Sequence, residues 1–234
     1  MEFVRGLGCA SDNQERDEPL KPYYEEKGIQ IYHGDCCEIL PSLPSVDLVL
    51  TDPPYGIGRD GMRPSTSSHG GRKPYEFLGW DSESPTPDTF DAIFAASTNQ
   101  IIWGANYFTR SLPPSMGWLF WDKGQRICGS DGELAFTSFD CALRVFTFNR
   151  VELMLDGAYH PTQKPLKLIK CCIAHADKQV GFPLIETILD PYAGSGSTLR
   201  AAKDLGRKAI GIEIEERYCE IAANRLRQQV LQFA

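Results

Sequence analysis

The chain has 234 residues and a mass of 26.1 kDa, with 42% hydrophobic and 24% charged residues, enough apolar material for one large domain. No run approaches the length of a membrane span, and the N-terminus lacks the charged-then-apolar layout of a signal peptide, so a cytoplasmic protein with no membrane partner is expected. The net charge of −7 argues against wholesale electrostatic attraction to nucleic acid.

Charge is unevenly spread. Residues 12–26 carry six acids against two bases, whereas residues 59–73 carry Arg59, Arg63, Arg72 and Lys73 against Asp60. The second stretch is rich in Gly and Ser and reads as a basic loop able to hold phosphates. Eight cysteines include the adjacent pairs Cys36-Cys37 and Cys171-Cys172 and no CxxC, so reduced, mostly buried thiols are expected. His160 and His175 show no metal-ligand spacing, and no metal is expected.

Residues 1–20 are polar and aperiodic and read as a tail, with a single domain over 21–234. In chain order, IQIYHGD (29–35) predicts a strand, Glu38 to Leu43 a short helix, and VDLVL (46–50) a buried strand running into Asp52. A helix is expected near Thr89 with Phe90, Ile93 and Phe94 on one side. QIIWGAN (100–106) and GWLFWDKG (117–124) predict strands, and LRVFTFN (143–149) alternates like a sheet-edge strand. HPTQKP (160–165) leads into a helix carrying Leu168, Ile169 and Ile173. ETILD, a glycine loop, a helix from Ser197 to about Leu205, KAIGIEI and an amphipathic helix from Tyr218 to Val230 close the chain. Strands alternating with helices predict a doubly wound, mostly parallel α/β sheet of the Rossmann-like type.

Two stretches carry chemistry. In VDLVLTDPPYGIG (46–58), Pro53 and Pro54 fix their own φ and push the residue before them to extended backbone, so the chain leaves the sheet stiffly. The Asp52 carboxylate and the Pro53 carbonyl then face outward beside Tyr55, a planar slot with two acceptors at one end. Such a slot suits a flat heterocycle bearing an exocyclic amine. In TILDPYAGSGSTLRAAKDLGRKAIGIEI (187–214), a glycine loop meets a helix N-terminus, and a second strand ends at Glu213. No Gly-Lys-Ser/Thr occurs, which argues against a nucleoside triphosphate, and Leu199 stands where a dinucleotide fingerprint from Gly194 needs Gly or Ala. S-adenosylmethionine remains, with Glu213 on the ribose hydroxyls and Asp190 with the loop through Tyr192, Ala193, Gly194, Ser195, Gly196, Ser197 and Thr198 at the methionine end.

DPPY at 52–55, HPTQKP at 160–165 and DPYAGSGST at 190–198 together resemble three signature motifs of the DNA amino-methyltransferases, which modify adenine N6 or cytosine N4. The order, catalytic motif first and cofactor loop last, resembles the permuted β group, over roughly residues 22–228. The resemblance implies an S-adenosylmethionine-dependent, site-specific enzyme acting on double-stranded DNA, with Asp52, Pro53, Pro54 and Tyr55 at the catalytic centre. It further implies that Asp35 accepts from the cofactor's adenine amine, with Cys36 beside it, and that His160, Thr162, Gln163 and Lys164 belong to the loop closing over the methionine. Target recognition is expected within 56–159, with Arg59, Arg63, Arg72 and Lys73 on DNA, and a homodimer is expected from the group.

Asp before Pro-Pro leans toward adenine. Cytosine N4 is the alternative, and protein-glutamine and RNA amine methyltransferases share the slot chemistry. A rival from another class is a DNA-binding protein that has kept the fold and lost catalysis. Cys36 as a nucleophile for base-carbon methylation is a further alternative. Trp103, Trp118 and Trp121 read as core or dimer-interface aromatics, while Phe146 and Phe148 lie on the strand resembling the family's hairpin near the flipped base.

Overall fold

The computed structural model describes residues 20–58, 79–124, 130–149, 159 and 162–228. The elements in chain order are β1 (Tyr24–Glu26), β2 (Ile29–His33), α1 (Cys36–Ile39) with a 3-10 turn (Leu40–Ser42), β3 (Leu48–Thr51), α2 (Pro87–Ala96), β4 (Gln100–Trp103) with a second 3-10 turn (Ala105–Tyr107), β5 (Trp118–Asp122), β6 (Gly132–Thr137), β7 (Arg144–Thr147), α3 (Leu166–Val180), β8 (Thr187–Asp190), α4 (Ser197–Asp204), β9 (Lys208–Glu213) and α5 (Glu216–Arg227).

These strands make one sheet in the order β1-β2-β9-β8-β3-β4-β6-β5-β7. Only β1 and β6 run against the rest among the described strands. Each central strand is apolar on both sides because both are covered. Leu48, Leu50, Ile101, Trp103 and Ile188 enter a core closed by α3, α4 and α5. Val49, Ile102 and Leu189, the intervening residues, enter a second core with Cys36, Ile39, Phe90 and Ile93 of α1 and α2. The crossover from β8 through α4 to β9 moves one way along the sheet and that from β3 through α2 to β4 the other. The β8/β3 boundary is therefore a topological switch point, where a crevice opens at the strand carboxyl ends.

Three local departures from the sequence reading have physical causes. The first helix starts at Cys36, because the Asp35 side chain accepts the Cys37 N–H at 2.8 Å and caps it there, and Pro41 lies in the 3-10 turn that replaces its second half. Strand β6 was hidden in GELAFT, whose first three residues are only half-buried. It inserts between β4 and β5, pairing Trp103 with Ala135 and Trp121 with Glu133. The antiparallel β1 lies next to the expected tail, and residues 1–19 of that tail lie outside the described residues.

The six cysteines among the described residues are free. Trp103 and Trp121 are buried, and Trp118 packs edge-on against Phe136. Phe146 and Phe148 pack against the core of the α3 face, on the outer strand β7 and its continuation. Among the described residues no helix is long and apolar enough to cross a membrane.

Candidate active site

The carboxyl ends of β2, β9, β8, β3 and β4 share one edge of the sheet, so Asp35, Glu213, Asp190, Asp52 and Gly104 emerge together. Residues 52 and 190 are far apart in the chain, yet the Thr51 hydroxyl donates to Asp190 Oδ1 at 2.8 Å and stitches the two motifs side by side.

After Pro53 and Pro54, which have no N–H, the first available donors are Tyr55 and Gly56. Both donate to Asp81 Oδ1, at 2.7 and 2.9 Å, so a buried carboxylate holds the turn. The Tyr55 hydroxyl donates to Asp52 Oδ1 at 2.6 Å. Its ring stacks on Tyr107 at 4.7 Å with an interplanar angle of 14°, and on another side it meets Gly104, whose φ of +70° and closeness to the ring leave no room for a side chain. Asp81, Gly104 and Tyr107 carried no signal in the sequence, because nothing local marks them as neighbours of Tyr55.

The other oxygen of Asp52 pairs with the Lys164 ammonium, which also lies 3.0 Å from Glu133 Oε2. Glu133 in turn pairs with Lys123 at 2.7 Å. Two acids and two bases thus alternate at the slot. Burial would lower the Lys164 pKa, but the Asp52 and Glu133 carboxylates override it and leave it raised. Burial would raise that of Glu133, and the two ammonium groups hold it low instead. Asp52 stays raised, since burial and the Glu133 charge together outweigh Lys164. Burial also pushes Tyr55 well above its usual range, so its hydroxyl remains a donor.

The crevice beside this slot is a cavity of about 420 Å³. Asp35, Cys36, Asp52, Pro54, Thr162, Gln163, Lys164, Asp190, Tyr192, Ala193, Gly194, Ser195, Ser197, Thr198 and Glu213 all line it. Trp80, Thr86, Thr89 and Trp103, not expected from sequence, complete the wall. Gly196 supports the loop from behind, with φ +78° and Ala222 so close that a Cβ would lie 2.8 Å from its methyl. His160, Arg59, Arg63, Arg72 and Lys73 lie outside the described residues.

The glycine loop is largely self-satisfied. Gly194 N–H donates to Glu213 Oε2 at 2.7 Å, Ala193 N–H to the Ile212 carbonyl, and Tyr192 N–H to Asp190 Oδ1. Buried Arg225 braces it from α5, donating to the Ser195 carbonyl at 2.6 Å, with the Tyr159 ring stacked 4.9 Å away. Gln163 accepts from the Ser195 hydroxyl at 3.2 Å, tying the 162–164 segment to the loop. Burial pushes Glu213 up to about 7 against donors from Glu215 and Gly194, and Asp190 up to about 6 against the hydroxyls of Thr198 and Thr51. Burial likewise pushes the Cys36 thiol up to about 12, which favours the neutral thiol over a nucleophilic thiolate. Asp35, Cys36 and Cys37 bring ligand-type atoms within 4.8 Å of one another, a grouping the residue spacing did not suggest.

The DNA methylase family of N6/N4 methyltransferases matches residues 121–224. The chain is 27% identical over 259 residues to the type II methyltransferase M.HinfI of Haemophilus influenzae, covering 85% of this chain and 68% of that protein. It is also 27% identical over 258 residues to the type II methyltransferase M2.LlaDCHI of Lactococcus lactis subsp. cremoris, covering 88% and 92%. Among solved structures, the M1.HpyAVI–SAM complex shares the fold with a TM-score of 0.53 at 21% identity, covering 86% of this chain and all of that one. The cytosine-N4-specific PvuII DNA methyltransferase does so with a TM-score of 0.58 at 16% identity, covering 92% and 91%. The family match over residues 121–224 and the sequence similarity along most of the chain support an amino-methyltransferase, of the kind whose targets are adenine N6 and cytosine N4, and the solved structures share its fold.

Proposed function

We propose that the protein transfers a methyl group from S-adenosylmethionine to adenine N6 of a base flipped out of double-stranded DNA. The observation that carries this reading is the position of Asp52: its carboxylate lines the same cavity as Asp190 and Glu213 and sits at the end of the adjoining strand. The donor set fits the cofactor, offering a buried carboxylate for ribose hydroxyls at Glu213, polar atoms at Asp190, Ser197 and Thr198, and a cavity with no lysine-bearing phosphate loop. Bound there, S-adenosylmethionine supplies an electrophilic methyl on sulfonium sulfur.

The chain's own residues supply the rest. An exocyclic amine is a poor nucleophile because its lone pair is delocalised into the ring. Asp52 and the Pro53 carbonyl, accepting its two N–H groups, draw the lone pair out of the ring plane. Asp52 then stabilises the positive charge developing on nitrogen and takes the proton. Flipping the nucleotide costs a few kcal/mol, and stacking on Tyr55 returns roughly 1–3 kcal/mol. Target recognition is assigned to 56–159, the basic residues of 59–73 to the DNA backbone, and the active unit to a homodimer.

Cofactor affinity should follow the charge of Glu213. Ribose hydroxyls donate to the ionised carboxylate, so binding favours ionisation and releases a proton wherever free Glu213, held near about 7, is protonated. Affinity is therefore expected to rise from about pH 5 to about pH 7 and to level above. Calorimetry in buffers of different ionisation enthalpy reads both effects. A flat profile with no proton release would take Glu213 out of the site.

The deciding experiment incubates the protein with methyl-labelled S-adenosylmethionine and unmethylated bacterial DNA, with RNA alongside, and identifies labelled nucleosides by mass spectrometry. N6-methyladenine in DNA is the expected product. N4-methylcytosine, the product that matches the cytosine-N4 specificity of the PvuII enzyme, would keep the mechanism and replace the base. No label in DNA would reject the reading.

A further inference from the structure

In the structure both oxygens of Asp52 are engaged, one by the Tyr55 hydroxyl and the other by the Lys164 ammonium. The amine of a target base needs one of them. Among the described residues the Tyr55 hydroxyl donates to Asp52 alone, and it accepts from the lysine ammonium at 3.4 Å. Lys164 differs. Glu133 Oε2 lies 3.0 Å from its Nζ and, though buried, accepts no well-formed hydrogen bond. Glu133 Oε2 is therefore held by the charge of the ammonium and still has room to take a directed hydrogen bond from it. Lys123, paired with the other Glu133 oxygen at 2.7 Å and set 5.1 Å from the Trp121 ring, holds Glu133 in place.

The arrangement has a topological origin. Glu133 is the second residue of the antiparallel strand β6, so it arrives at the same sheet edge where β4 and β5 end, opposite Trp121 and beside the lysine that follows β5. A parallel strand at that place would have put its first residues at the far edge of the sheet.

We infer that Glu133 is a positioning residue that takes the Lys164 ammonium over from Asp52 when the target amine arrives, freeing one Asp52 oxygen for the amine N–H. This rests on the methyltransferase reading proposed above. In the exchange no covalent bond changes: Lys164 keeps its proton, slides from one carboxylate to another 3.0 Å away, and the charge of the site is conserved. Leaving the ammonium with no second carboxylate would strand a buried charge, which is why a lysine could not vacate Asp52 without such a receiver. The charged groups around Asp52 are Lys164, Glu133, Asp190 and, through Glu133, Lys123, with the Tyr55 hydroxyl as neutral donor.

The test uses the full chain in three forms: unchanged, Glu133→Gln and Glu133→Asp. Methyl transfer to unmethylated bacterial DNA is measured at saturation, S-adenosylmethionine affinity by calorimetry, melting temperature by calorimetric scan, and the Asp52 carboxyl titration by carbon-13 NMR without substrate. Glu133→Gln is expected to lower kcat at least about tenfold with cofactor affinity unchanged, and Glu133→Asp to restore most of it. The Asp52 titration in Glu133→Gln is expected to move to lower pH, because a like charge is gone and Lys164 is no longer shared. A kcat within twofold of the unchanged chain would overturn the inference. So would equal losses in both variants that track a lower melting temperature with no shift at Asp52, since that is a structural role alone. If the unchanged chain labels no DNA, the methyltransferase reading fails. The Asp52 titration then still decides whether Glu133 and Asp52 share the ammonium.

Discussion

Asp52→Asn is expected to lower methyl transfer by roughly a thousandfold, the combined scale of losing a proton acceptor and a preorganised anion at the developing charge. Asn keeps the shape and one acceptor oxygen, so the Tyr55 hydroxyl, 2.6 Å from Asp52 Oδ1, retains a partner. The buried Lys164 ammonium retains Glu133, which limits the destabilisation that follows when one member of a buried pair is removed. Cofactor affinity should change little, because Glu213 and the glycine loop lie on β9 and after β8. Single-turnover transfer with saturating DNA is the measurement, with S-adenosylmethionine binding as the control. A loss of less than about tenfold would mean that Asp52 is not the group that accepts the amine.

Gly104→Ala is the second large effect, and it acts on geometry. The residue sits at φ +70° at the end of β4, and a Cβ there would fall 2.0 Å from Cε1 and 2.5 Å from Cζ of Tyr55. Two costs combine: roughly 1–2 kcal/mol for a left-handed non-glycine residue, and about 1–3 kcal/mol for overpacking. The cheapest relief is to move the Tyr55 ring, which breaks its stack with Tyr107 and its hydrogen bond to Asp52. Transfer is expected to fall by about ten- to a hundredfold, with KM for DNA raised because the stacking surface is misplaced. The melting temperature should drop by several degrees while the protein stays folded. Activity within about twofold of the unchanged chain would show that the ring position has no bearing on the reaction.

The catalytic strand and the cofactor loop could be read from the chain because their signals are local. Two prolines after an aspartate force an extended exit from a buried strand, and a glycine loop before Ser197 announces a helix start whatever lies elsewhere. Strand β6 could not be read in this way. Its first half is partly exposed, its alternation is broken by Gly132 and Glu133, and one of its two pairing partners, β4, lies over thirty residues back. The alternation of 143–149 marks a sheet-edge strand, and β7 is the outermost strand, but it does not say which core Phe146 and Phe148 join, and they pack on the α3 face.

By itself the sequence determined the doubly wound sheet, the acid-Pro-Pro-Tyr exit at Asp52, and the carboxylates Asp190 and Glu213 at strand ends, because each depends on residues within a turn or two of one another. Only the tertiary structure decided that Asp81 holds the Tyr55 turn, that Gly104 and Tyr107 frame the Tyr55 ring, and that Lys164 leaves the cofactor segment to bridge Asp52 and Glu133. The physical reason is that a buried charge or a stacked ring is specified by whatever the sheet register brings to it. That register is set by the packing of strands far apart in the chain, one of them running against its neighbours.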